Sequence, residues 1–186
     1  MQAVALSRAM PLVFALMAAV SPPVGAQPSS RDQIEKGRYL VVYGGCNDCH
    51  TPKVMGPKGP SLNEALLLSG HPAGDPTPAL PAGVLGPTGW GAVTTGGLTA
   101  WAGPWGISYA ANLTPDKETG LGNWTYAQFR DTMRTGKHLG GGRDVLPPMP
   151  WMSVAALTEP DMKALFAYLK SVKPISNKVP NPLPPK

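Results

Sequence analysis

Two cysteines and three histidines are all that this 186-residue chain offers of the residues most used for cross-links and metal sites. Two cysteines do not make a disulfide-stapled scaffold. A zinc site built on them would still need two ligands from His71, His138 or the carboxylates. Charge is scarce as well: 15% of residues are charged, 16 Lys and Arg against 11 Asp and Glu, for a net +5. With no dense Lys/Arg block, this mild excess does not read as a nucleic-acid surface. No apolar run reaches the roughly 20 residues of a membrane-spanning helix. No segment alternates as a half-buried strand would, and there is no internal repeat.

Glycine and proline are abundant instead, 22 and 23 of them. That share approaches the composition of disordered chains. Against disorder stand 42% hydrophobic residues and the low charge, which let the chain collapse. The length suits one domain.

The first residues read as a removable leader. Arg8 is followed by the apolar stretch Met10 to Val20, then Pro22-Pro23, then the small residues Val24-Gly25-Ala26. This is the plan of a secretory signal peptide over 1–26, cleaved after Ala26. At 1.5 Å per residue the apolar stretch spans only about 16 Å of a roughly 30 Å hydrocarbon layer. The mature chain, with no transmembrane helix, is then expected in the oxidising periplasm, where two free thiols need an occupation.

Four segments read as helices. Ser30-Arg31-Asp32-Gln33 and Ser61-Leu62-Asn63-Glu64 look like capping boxes, the second starting a short helix through Leu68 that Gly70 ends. Thr125 to Gln128 opens a third, closed by Gly136, and Thr158 with Pro160 and Asp161 opens a fourth that Pro174 ends. The expected class is therefore all-α, a domain over 27–175. Within it 53–106 forms an irregular insertion packed by Trp90, Trp101 and Trp105, and 176–186 is a Pro-rich, weakly held tail.

The chemistry is concentrated in Cys46-Asn47-Asp48-Cys49-His50. Thiols three positions apart can each form a thioether to a haem vinyl group, with the next histidine placed to ligate the iron. A thioredoxin-like redox pair would want a βαβ setting, which the helices do not supply. With one such motif, one covalently attached haem c is expected.

From about Ile34 to Val179 the chain resembles the bacterial monohaem c-type cytochromes of the class I fold, particularly modules similar to the cytochrome subunits of membrane-bound dehydrogenases. The resemblance rests on Ile34-Glu35-Lys36-Gly37-Arg38-Tyr39-Leu40, on the haem motif continued by Thr51-Pro52, and on Ala111-Asn112-Leu113-Thr114-Pro115-Asp116. Gly122-Asn123-Trp124-Thr125, Leu146-Pro147-Pro148-Met149-Pro150-Trp151 and the last helix complete it. It implies an electron carrier that is not an enzyme, with a His/Met-ligated iron whose proximal ligand maps to His50. Its partners would be redox proteins, dehydrogenase or oxidase components, in free exchange or within a membrane complex. It also implies that the first and last helices cross, with Gly37 allowing close approach near Tyr168.

Several sulfurs compete for the distal position. Met149, clamped between Pro148 and Pro150, is favoured over Met152 in the same loop. Met133 and Met162 sit at helical spacing suited to packing, and Met55 follows the motif too closely. His138 and His71 remain as alternatives. Arg130, Arg134 and Lys137 read as a solvated or docking face. Trp124 and Trp151 could pack or donate to a haem propionate. A haem enzyme or gas sensor with an open distal position is the competing function.

Overall fold

The computed structural model describes residues 29–87 and 89–185, so the leader expected over 1–26 lies outside the described residues. Among the described residues the chain forms five α-helices and two small antiparallel sheets. The all-α expectation is therefore corrected: the fold is a mixture of helix and strand. Strands β1 (Lys53–Gly56) and β2 (Gly59–Leu62) make a hairpin, and β3 (Val93–Thr94), β4 (Ala100–Gly103) and β5 (Gly106–Tyr109) make a three-stranded sheet in that order.

These strands escape a search for alternation for two reasons. They are two to four residues long, and the hairpin of β1 and β2 has no buried face to pattern. In β4 and β5 the buried positions are Ala100, Ala102, Gly103, Gly106 and Ser108, small residues that carry little hydrophobic signal. Gly106, at a φ of 93°, turns the chain between the two strands.

The helix expected from Ser61 is likewise replaced. Leu62 ends β2, and only the 3₁₀ turn Glu64–Leu66 remains, capped by Asn63, whose Oδ1 accepts the Ala65 N–H. The other three expected helices are present. Helix α1 (Ser30–Tyr43) is capped one residue earlier than read, by Ser29, because the Asp32 carboxylate reaches back to the Ser29 N–H. Helix α2 (Cys46–His50) is a single turn. Helix α3 (Tyr126–Thr135) carries the Thr125/Gln128 capping box and ends at Gly136 in the left-handed region. Helix α4 (Trp151–Ala155) is short, and α5 (Glu159–Ser171) starts from Thr158 with proline in its first turn.

The core forms where α1 crosses α5. Val41 of α1 meets Met162, Leu165 and Leu169 of α5, with Phe129 of α3 and the loop residues Leu68 and Leu121 closing the cluster. At Gly37 the helices touch backbone to backbone, as the resemblance implied. A Cβ there would collide with the Ala164 carbonyl and lie 2.6 Å from Tyr168 Cβ. Lys36 pairs with Asp161 across the same crossing.

The tail is tied down rather than loose. Asn177 donates through Nδ2 to the carbonyls of Ser69 (2.7 Å) and His71 (2.9 Å) and accepts the Ala73 N–H at 2.9 Å. Farther on, Leu183 exchanges two backbone hydrogen bonds with Ile107, adding itself to the edge of β5. Prolines that cannot donate surround these points, so side-chain and isolated backbone bonds do what a ladder cannot.

The crossing predicts a mutational outcome. Gly37→Ala should lower stability by about 1–3 kcal/mol through overpacking, although alanine is the better helix former by about 1 kcal/mol. Chemical denaturation followed by far-UV circular dichroism reads the change; an unchanged midpoint would contradict the close crossing.

Candidate functional site

The single turn of α2 holds both cysteines and His50. Gly45 enters it with a φ of 66°, where a Cβ would stand 2.9 Å from an Asp48 carboxylate oxygen. So short a helix leaves most of its carbonyls without intrahelical partners. Lys53 supplies them, its Nζ donating to the carbonyls of Asn47 (3.2 Å), Asp48 (2.9 Å) and Thr51 (2.6 Å). Thr51 Oγ1 donates to Asn47 Oδ1 and accepts the Leu68 N–H, both at 2.9 Å.

The cysteines are half-buried, unbridged thiols. Burial pushes Cys46 up to about 11, and burial followed by the Asp48 carboxylate pushes Cys49 upward. Both stay protonated near neutrality, which does not suit a redox pair that works through a thiolate. The Trp101 indole lies against Cys49 and donates to the Leu98 carbonyl at 2.8 Å. Among the described residues no group of three or more His, Cys, Asp or Glu gathers as a metal cluster, so the zinc reading lacks its further ligands.

His50 is buried, and its Nδ1 lies 2.7 Å from the Ala111 carbonyl oxygen. A carbonyl can only accept, so Nδ1 carries the proton and Nε2 presents the lone pair. Burial also pushes the pKa of this imidazole down, favouring the neutral form that binds metals. Two thiols on one turn beside an imidazole already turned and anchored are a donor set that fits a covalently held haem.

A frame of backbone bonds fixes that turn. The His50 carbonyl accepts the Gly70 N–H (2.8 Å) and the Pro52 carbonyl the Asn63 N–H (2.8 Å). The His71 N–H donates to Ala110 (2.9 Å) and the Leu113 N–H to Leu68 (2.9 Å). Asn112 and Thr114 lock the far end, where Asn112 Nδ2 donates to the Ile175 carbonyl at 2.8 Å. Ala111 and Lys53 are the functional residues that sequence reasoning missed. A backbone carbonyl leaves no side-chain signal, and Lys53 reads as an ordinary surface cation.

Met149 comes from a separate element. It is half-buried in the loop before α4, with its N–H donating to Leu146 and its carbonyl accepting the Trp151 N–H at 2.9 Å. Strand β5 links this loop to the cysteine turn. Ser108 Oγ donates to the Pro147 carbonyl at 2.6 Å, and Ala111, which holds His50, follows three residues later, at most about 10 Å away along an extended chain.

The other candidates are placed elsewhere. Met162 is fully buried in the core and Met133 packs against it, whereas Met152 and Met55 are 67% and 70% exposed. His71 is bonded to Ala110 and therefore belongs to the support behind His50. His138 packs edge-on against Trp124, and Trp151 covers Gly136. The basic face of α3 is largely paired: Arg130 with Asp131, Lys137 with Asp144, and Arg134 with Glu159 and the carbonyls of Ala155 and Leu157 at the end of α4.

His71 gives this support a pH response. Burial lowers its pKa below 6.5, and Asp75 opposes that shift. The unfolded chain then binds the proton more readily, so the contribution of neutral His71 is complete above about pH 6.5 and is lost as pH falls below it. Replacing His71 by Asn, which does not titrate, should flatten that part of the stability–pH profile in urea titrations between about pH 7.5 and 5. A slope identical to the parent protein's would contradict the assignment.

No family model matches the chain. It is 32% identical to a nicotinate dehydrogenase subunit of Pseudomonas putida over 164 residues, 88% of this chain and 10% of that one. It is 31% identical to the gluconate 2-dehydrogenase cytochrome c subunit of Pantoea cypripedii over 144 residues, 77% of this chain and 24% of the other. The fructose dehydrogenase cytochrome subunit of Gluconobacter japonicus shares 29% over 156 residues, 82% of this chain and 24% of that subunit. The chain thus spans between a tenth and a quarter of the length of these curated relatives.

Proposed function

Since the chain is a cytochrome c module similar to the cytochrome subunits of gluconate and fructose dehydrogenases, we propose that it is a periplasmic electron carrier with one covalently attached haem c and His/Met ligation. The observation that carries the reading is the His50 Nδ1–H bond to Ala111, which aims a neutral imidazole from the turn that bears Cys46 and Cys49.

A bound haem c supplies a reversible one-electron couple between ferric and ferrous iron. Cys46 and Cys49 would hold it by thioether bonds, and His50 would ligate it through Nε2. Met149 would supply the other ligand to the iron. Its thioether would favour the ferrous state and raise the potential. The flanking prolines leave its loop little conformational freedom to lose on ligation. The protein performs no bond-making chemistry of its own; its residues orient the ligands and exclude water.

The leader over 1–26 directs export, and the electron donor is a dehydrogenase, as the names of the relatives suggest. No helix among the described residues is long and apolar enough to cross a membrane.

Extraction in acidified organic solvent should leave the haem on the polypeptide, with an intact mass of one haem added to a chain beginning at Gln27. Release of all haem would refute covalent attachment. Met149→Ala should lower the potential and speed cyanide binding at least tenfold, whereas Met152→Ala, at an exposed site, should change neither. The reverse pattern would move the distal ligand to Met152.

A further inference from the structure

His71 is a buried titratable side chain that the function proposed above does not use. It is 2% exposed, and among the described residues its Nε2 has no hydrogen-bond partner, an unfavourable state for an enclosed polar atom. A phenylalanine would pack on Tyr109, whose ring centroid is 4.9 Å away, without that penalty. What the imidazole adds is its Nδ1, hydrogen-bonded to Thr99 Oγ1 at 2.9 Å.

That bond closes a ring of three contacts. Thr99 also accepts the Ala110 N–H on its carbonyl at 2.8 Å, and Ala110 in turn accepts the His71 N–H at 2.9 Å. The next carbonyl along the chain is Ala111, the acceptor for His50 Nδ1. The Ala110 and Ala111 carbonyls both face Gly70, where a Cβ would lie 2.5 Å and 2.7 Å from their oxygens, so His71 and His50 hold two adjacent carbonyls of one short segment. The neighbouring Gly70 N–H holds the His50 carbonyl as well, and Asn177 holds the carbonyl of His71.

We propose that His71 is a positioning residue for the proximal ligand: through Thr99 and Ala110 it fixes the Ala111 carbonyl, sets the strength of the His50 hydrogen bond and thereby tunes the reduction potential. The proposal rests on the haem reading above. A strong acceptor on the far nitrogen makes the ligating imidazole more basic and favours the ferric state. Loosening that acceptor raises the potential.

The test uses the haem-loaded protein and three substitutions. His71→Phe keeps the ring and loses the Thr99 bond. His71→Asn keeps a polar atom close to the Nδ1 position. Thr99→Val removes the same bond from the other side and carries the test should His71→Phe fail to fold. At a fixed mediator potential, His71→Phe and Thr99→Val should shift the ferrous-to-ferric ratio upward by threefold to tenfold, tenfold being 59 mV for one electron. The His50 Nδ1 proton should exchange faster by nuclear magnetic resonance. His71→Asn should stay within twofold of the parent.

A lowered thermal midpoint with an unmoved potential in His71→Phe and Thr99→Val would reduce His71 to packing and overturn the proposal. So would a shift in His71→Asn as large as in His71→Phe. Absence of covalent haem from the parent protein, read by mass, would instead sink the haem reading and this proposal together.

Discussion

The hydrogen bond from His50 Nδ1 to the Ala111 carbonyl is the constraint around which the site is built. A histidine on a one-turn helix has little to orient it, because the turn itself has few bonds and a free ring could present either nitrogen. One fixed acceptor removes both freedoms. Ala111 must then be fixed in its turn, and the structure spends much of its irregular chain doing so. Gly70, His71, Thr99, Asn112 and Asn177 all bond to this segment, to His50 itself or to the loop between them. The helical core of α1 and α5 gives the molecule its solidity, while the loops give the site its geometry.

The loops can do this because their polar groups are paired with one another. Lys53 serves three carbonyls of the cysteine turn, and Lys170 of α5 donates to the carbonyls of Leu121 (3.1 Å) and Gly122 (2.6 Å). Arg134 does the same where α4 meets α5. Buried or half-buried backbone that lacks a ladder must find side-chain partners, and here basic residues spread through the chain provide them.

Helices announced themselves in the sequence wherever a cap and an apolar stripe coincided. Thr125 with Gln128, Thr158 with Asp161, and Gly136 marked real boundaries. Gly37 was expected at a crossing point because the family resemblance sets the first and last helices across one another there, and the close approach is observed. The sheets were hidden by their composition: β4 and β5 pack through alanine, glycine and serine. Ser61 misled because its box pattern was followed by a hydrogen-bonded hairpin end instead of a helix. At the site, Cys46, Cys49 and His50 were legible as a motif, since their chemistry lies in side chains at fixed spacing. The acceptor of the histidine was not, because every residue has a carbonyl.

Asn177 joins residues more than a hundred positions earlier in the chain, its partners being Ser69, His71 and Ala73. This reach sets an order of events during synthesis. The cysteine turn, its histidine and the Ala111 segment can all be made and can meet before the last dozen residues exist. The outer side of their support cannot be sealed until Asn177 arrives. A nascent or truncated chain therefore holds the cysteine turn with its backing still open, and only a chain complete at least to that asparagine can shut it.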